Sequence, residues 1–245
     1  MASLTSQVSK LHNMEQYQDL NWVGSFEDYL QMVRERPAIT RNAWQRLYDM
    51  LISYGSTSYT DNRKKVTQYN FFADPFNNGQ DAVFGMDITL MKLVNTFKSA
   101  AYGYGTDKRI ILLHGPVGSA KSTIVRLLKI GLEAYTETQE GAIYTFDWVI
   151  DEDGEQVIYP CPMNEDPLHL IPLSWRAQAI KELALNERCE QYSIPVKGEL
   201  NPACRFRFNM LMERYKGDWQ KVMEHVRVRR FTFSEANRRG IGTFQ

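Results

Sequence analysis

The sequence predicts an α/β fold, a parallel sheet flanked on both faces by helices and preceded by a helical accessory segment. Residues 109–114, RIILLH, form a short apolar run rich in Ile and Leu, the pattern of a strand buried in a parallel sheet. A glycine-containing loop follows at once. Then Ile124, Leu127, Leu128 and Leu132 recur at helical spacing, which predicts a helix over residues 122–136. Strand, glycine loop and helix in direct succession make the repeating unit of such sheets.

From the N-terminus, residues 1–20 are polar and are expected to be poorly ordered. Ser25 followed by Asp28 reads as a capping box that opens a helix in SFEDYLQMVRER, and Pro37 stops it. A second helix is expected in ITRNAWQRLYDMLISYG, with Ala43, Leu47, Met50 and Leu51 on one face and Gly55 at its end. Residues 56–65 are polar and turn-rich, a surface link. Residues 1–65 are therefore assigned to the accessory segment and 66–245 to the main domain.

Within that domain, Leu90, Leu93, Val94 and Phe97 mark the inner face of a long amphipathic helix. AIYTFDWVI and EQVIYPCP flank the acidic turn DEDG, a hairpin signal. Beyond Pro162 the pattern is mostly helical, in WRAQAIKELALNERC, RFNMLMERY and DWQKVMEHV, with VRVRRFTF as a strand.

Composition narrows the function classes. Lys+Arg and Asp+Glu both total 29 in 245 residues, so no global field gathers nucleic acid or anionic membrane. The three cysteines, Cys161, Cys189 and Cys204, contain no C-x-x-C pair, which suggests neither a zinc knuckle nor a disulfide framework. Free thiols, with no signal peptide and no apolar run of membrane-spanning length, predict a cytoplasmic protein.

The chemistry lies in GPVGSAKST, comprising Gly115, Pro116, Val117, Gly118, Ser119, Ala120, Lys121, Ser122 and Thr123. Small residues let successive backbone N–H groups converge on one point, and a helix N-terminus adds partial positive charge there. This is a phosphate-binding P-loop. Lys121 is expected to reach the β- and γ-phosphates of ATP, and the Ser122 hydroxyl to ligate Mg²⁺. Ala120 stands where glycine is usual in G-x-x-x-x-G-K-[ST], and an α-like backbone at the helix start would accommodate its methyl group.

GPVGSAKST, the FxxYL stretch at Phe26 to Leu30, AVFGMD, CPMNEDPLHLIP and NRRGIGTFQ together resemble the PrkA family, AAA+ type proteins labelled bacterial serine protein kinases. The resemblance covers nearly the whole chain. It implies that alanine at the sixth loop position is usual and that the chain is the N-terminal part of a longer protein holding an incomplete AAA+ domain. Similarity to AAA+ proteins also places Val83, Phe84 and Gly85 beside the adenine base. It implies an ATPase with a mechanical or regulatory output, acting on a protein client and assembling as a homo-oligomeric ring. The alternatives are transfer of the γ-phosphoryl group to protein serine, and nucleotide sensing without turnover.

Other signals are weaker. WVIDE at Trp148 to Glu152 imitates a Walker B strand, but Asp147 interrupts its apolar run and its acids belong to the DEDG turn. No H-R-D and no D-F-G occur, so eukaryotic-type kinase machinery is absent from the sequence, and no catalytic acid is assigned. His12, His114, His169 and His225 are isolated, with His114 expected to pack at the strand end. Arg227, Arg229, Arg230, Arg238 and Arg239 read as a solvated basic face, although Arg238 or Arg239 could serve a neighbouring subunit's γ-phosphate.

Overall fold

The computed structural model describes residues 13–189 and 191–241. In chain order the elements are α1 (Met14–Leu20), β1 (Val23–Ser25), α2 (Phe26–Glu35), α3 (Ala43–Ser53), β2 (Ser56–Asp61) and β3 (Lys64–Tyr69). There follow α4 (Asp87–Ala101), α5 (Lys121–Glu137), β4 (Ile143–Glu152), β5 (Glu155–Pro160) and α6 (Leu173–Glu182). The last are α7 (Leu185–Arg188), α8 (Pro202–Arg214), α9 (Trp219–Met223) and β6 (Val226–Phe231). No helix among the described residues is long and apolar enough to cross a membrane.

The chain divides into two compact units, each described by itself. One takes the described residues up to Glu35 with Ala142–Leu183 and Val196–Thr232. Its sheet has the order β1-β6-β4-β5, and every ladder in it is antiparallel. The expected parallel sheet is thus not found among the described residues, and the fold is mixed helix and sheet. β4 and β5 form the hairpin that the DEDG turn implies, closed by Asp153 and Gly154, both at positive φ.

The capping box that opens α2 is complete. Asp28 N–H donates to Ser25 Oγ at 3.1 Å, and Ser25 N–H donates to Asp28 Oδ2 at 2.8 Å. The helix buries Phe26, Tyr29 and Val33. Residues 13–20, expected to be irregular, instead contain α1, capped by Asn13. Residues 1–12, including His12, lie outside the described residues, as does the end of NRRGIGTFQ.

Asp147, which interrupts the apolar run of β4, is only 2% exposed. Arg227 Nη2 and Arg229 Nε reach it at 2.8 and 2.9 Å from the adjacent β6. These two arginines therefore belong to a sheet-borne charge cluster, which corrects the solvated reading. Arg230 is buried too. The histidines of this unit are also structural. His225 Nδ1 bonds Val149 O at 2.9 Å while its Nε2 meets Tyr215 Oη at 2.7 Å, and His169 bonds the carbonyls of Asp166 and Lys197.

The second unit takes Arg36–Gly141, Ala184–Pro195 and the described residues from Phe233. Its core joins Met50 and Leu51 of α3, Leu90, Leu93, Val94 and Phe97 of α4, and Ile124 and Leu127 of α5, around Phe71 and Phe72. The helix faces read from spacing on α4 and α5 are therefore the buried ones. α5 approaches closely at Gly131, where a Cβ would come within 2.6 Å of the Phe71 ring and 2.9 Å of Met50 Sδ.

Three expectations fail here. Residues 56–65 form the β2–β3 hairpin, turned by Asn62 and Arg63 at positive φ rather than by glycine. On α3, Ala43 is exposed, whereas Gln45, Arg46 and Asp49 are buried. Each polar group has partners that offset its desolvation. Gln45 closes a capping box with Asn42, Arg46 donates to the Gly141 and Arg41 carbonyls, and Asp49 accepts from Arg41 and the Tyr192 hydroxyl at 2.7 and 2.8 Å. The third is RIILLH, which enters no ladder. Ile111 and Leu113 pack on the core while Ile110 and Leu112 are 97% and 82% exposed, and His114 is exposed rather than packed. A strand needs at least one neighbour to take up its backbone hydrogen bonds, and none of the described strands pairs with this segment.

Burial gives this unit an alkaline limit. Desolvation raises the Tyr48 phenol to about 12, and burial beside Asp49 raises that of Tyr192. Both folded values lie above the unfolded one, so the stability is fully present below about pH 10 and is lost as pH rises through the folded values. The urea midpoint is expected to hold from pH 8 to 9.5 and to fall between 10 and 12, with a shallower fall in Tyr48→Phe. An equal fall in that variant would show that Tyr48 carries none of it.

Candidate nucleotide-binding site

The loop Gly115–Ala120 runs into α5, whose first residue is Lys121. Gly118 has φ +83°, and a Cβ built on it would meet nothing within 4 Å, so the loop is open on that side. Ser119 Oγ donates to Pro116 O at 2.8 Å and fixes the curvature. The first backbone N–H to bond back along α5 is that of Ile124, onto Ala120 O at 2.9 Å. The N–H groups of Lys121, Ser122 and Thr123 thus lie in the first turn, where helix geometry provides no intrahelical acceptor. Such donors favour an anion.

Lys121 Nζ is folded over the loop. It donates to Gly115 O at 2.9 Å, Pro116 O at 2.6 Å and Ser119 Oγ at 2.9 Å. The ammonium therefore sits at the loop, partnered among the described residues by neutral oxygens that a phosphate can replace. Val117 is fully exposed at the crest, and Ser122 is exposed one residue beyond Lys121.

Ala120 corrects the sequence reading. Its backbone is left-handed, φ +54° and ψ 13°, not α-like. This conformation places the alanine Cβ against its own carbonyl and is the reason glycine is usual there. Ala120→Gly is expected to relieve about 1 kcal/mol of strain while leaving nucleotide affinity unchanged or higher. A lower urea midpoint in that variant would contradict the left-handed assignment.

The segment before α4 is shaped by Asp74, itself at φ +58° and nearly buried. Its carboxylate accepts the N–H groups of Asp81 at 2.9 Å, Asn77 at 3.1 Å and Phe76 at 3.3 Å, and those bonds, Asp81 foremost, hold its carboxyl below the usual range. Asp81 also pairs with Arg126 on α5. Val83 N–H then closes the loop onto Phe72 O at 2.9 Å. In the sequence this polar frame shows only as the turn-like run DPFNNG. It leads into Val83, which is buried, Phe84, which is 79% exposed, and Gly85 at φ +70°. Val83 and Phe84 line a cavity of about 210 Å³ with Tyr69, Asn70, Phe72 and Asp87.

WVIDE lies within β4, and its Asp151 and Glu152 are exposed at the hairpin end. Asp151 Oδ1 accepts the Gly154 N–H at 3.1 Å, and Glu152 accepts the Tyr159 hydroxyl at 2.8 Å. β4 pairs only with β5 and β6, so these acids stand on no strand paired with residues 109–114. Arg238 and Arg239 are exposed near the Ser234–Arg239 bridge.

A family model described as the PrkA AAA domain matches residues 24–245. The chain belongs to the PrkA AAA domain family. Among curated proteins it is 39% identical over 231 residues to a Bacillus subtilis (strain 168) protein named ATP-dependent protease PrkA, covering 94% of this chain and 30% of that protein. It is also 30% identical over 108 residues to an uncharacterized protein of Geobacillus stearothermophilus, encoded in the gldA 5′ region, covering 44% of this chain and 98% of that protein. The chain thus spans less than a third of the length of its PrkA relative. No solved structure matches it significantly. As a PrkA AAA domain, the chain carries the glycine loop and lysine at the head of α5.

Proposed function

We propose that this chain binds ATP with Mg²⁺ at residues 115–123, as the nucleotide-responsive module of a longer protein that hydrolyses ATP to act on a protein client. The observation that carries the reading is the Lys121 ammonium held over an open glycine loop at a helix N-terminus, in a chain of the PrkA AAA family. Lys121 would neutralise the β- and γ-phosphates, and the first-turn N–H groups of α5 would cradle them. Ser122 would contribute a hydroxyl to Mg²⁺. The cavity at Val83 and Phe84 would receive the base, with Gly85 beside it.

The domain would run from residue 66 past residue 245, its sheet completed by strands pairing with 109–114. The exposure of Ile110 and Leu112 on an unpaired extended segment supports that completion. Assembly into a ring and a cytoplasmic setting belong to the same proposal. The Bacillus subtilis relative's name, ATP-dependent protease, favours an output directed at protein.

Incubating the longer protein with γ-labelled ATP and Mg²⁺, and following free phosphate and labelled protein in one tube, ranks the outputs. Continuous phosphate release without protein labelling supports the ATP-driven module. Stoichiometric labelling of serine would replace it with a protein kinase. Binding without either would leave a nucleotide sensor.

A further inference from the structure

The unit that carries the antiparallel sheet contains a second cluster of chemical groups. After β5 the chain makes the turn Cys161-Pro-Met-Asn-Glu165, with Asn164 at φ +48° and its N–H bonded to Cys161 O at 3.2 Å. The turn directs the Glu165 N–H at Cys161 Sγ, 3.4 Å away. The N-cap of α8, Asn201, brings its carboxamide to the same sulfur at 3.5 Å and to Glu165 Oε2 at 2.7 Å. Three residues on, Cys204 points inward from the first turn of α8, fully buried.

The two sulfurs and a Glu165 oxygen all lie within 4.8 Å of one another. That spacing matches donor atoms around one small cation, since bonds of about 2.3 Å to sulfur and 2.0 Å to oxygen place tetrahedral ligands 3–4 Å apart. Donor groups of the protein converge on the two sulfurs. N–H groups surround Cys161, and the indole N–H of Trp148, wholly buried and closing no full hydrogen bond, lies against the Cys204 sulfur. Two buried thiols and a half-buried carboxylate gather here without positive charge, and among the described residues no lysine or arginine bonds to any of the three.

We propose that Cys161, Cys204 and Glu165 supply three ligands of a site for a thiophilic divalent cation, zinc being the fitting probe, with water completing the tetrahedron. The cation joins the turn after β5 to the N-terminus of α8, which Asn201 already ties together by hydrogen bonds to Glu165. Binding replaces each S–H bond by an S–metal bond and releases two protons to solvent, with no change of oxidation state. The absence of C-x-x-C hid the site in the sequence, because its sulfurs come from segments 43 residues apart, the difference between positions 204 and 161.

The test uses the whole chain, stripped with a chelator under a phosphine reductant and titrated with zinc. One equivalent is expected to bind and to raise the thermal midpoint, while Cys161→Ser and Cys204→Ser lose at least about tenfold in affinity. Glu165→Gln is expected to weaken binding less and to retain the fold. Should the serine variants not fold, cobalt added to the wild-type chain reads the same ligands, through a sulfur-to-cobalt charge-transfer band. Equal zinc binding by wild type and variants, or no cobalt–thiolate band, would overturn the site. So would a peroxide-induced Cys161–Cys204 disulfide in a chain that takes up no zinc, which would make the pair a redox couple instead.

Discussion

Lys121→Ala is expected to weaken ATP binding at least tenfold, about 1.4 kcal/mol or more, without unfolding the chain. The ammonium bonds only to the loop's own oxygens, Gly115 O, Pro116 O and Ser119 Oγ, so its removal takes no partner from the core. What is lost is the single side-chain cation within the loop that can face a triphosphate. Lys121→Arg should not restore binding in full, because a planar fork cannot reproduce a compact ammonium with three donors. Calorimetric titration of folded protein decides the matter. Undiminished ATP affinity in Lys121→Ala would remove the phosphate-binding assignment, while the family membership would stand.

The second large effect concerns stability. Asp147 is buried on β4 and receives Arg227 and Arg229 from β6, so Asp147→Ala leaves two like charges side by side on one strand with no counter-charge. Removing one partner of a fully buried pair costs about 3–5 kcal/mol. The arginine side chains retain 37% and 27% exposure and can turn partly to water, so about 2–3 kcal/mol is expected here. For a chain of this size that is a fall of roughly 5–10 °C in the thermal midpoint. Asp151→Asn provides the contrast. It changes the same charge at the exposed hairpin end, keeps an oxygen for the Gly154 N–H, and should shift stability by less than about 0.5 kcal/mol. Equal midpoints for Asp147→Ala and wild type would mean that the ion cluster contributes nothing net.

Features set by neighbouring residues were legible in the sequence. The glycine loop needs small residues and a lysine at fixed offsets, and Ser25 with Asp28 form a cap because three residues separate them. The inner faces of α4 and α5 followed from spacing alone. Features set across the sheet or by partners distant in sequence were not. RIILLH has the composition of a central strand, but composition does not supply the strands beside it. Asp147 looked like a flaw in an apolar run because its arginines lie 80 and 82 residues away. The burial of Gln45, Arg46 and Asp49 was not legible, because spacing marks only an apolar face and partners such as Gly141 and Tyr192 are distant in sequence. Ala120 shows a different failure. The resemblance made alanine ordinary at that position but said nothing of its backbone, and the left-handed φ follows from the loop's curvature.

The interleaving of the two units has a consequence for synthesis on the ribosome. The unit with the glycine loop is not finished when Gly141 has been made, because Ala184–Pro195 belongs to it and Tyr192 bonds Asp49 across 143 residues. The sheet of the other unit waits as well, since β6 lies between β1 and β4 and is the last of its strands to be made. At about 5–20 residues per second, β4 and β5 exist for several seconds before β6 can separate them from β1. During that interval the buried faces of Phe146 and Trp148 lack part of their cover. The apolar face of β4 therefore stays incompletely covered in the nascent chain until Val226–Phe231 has emerged.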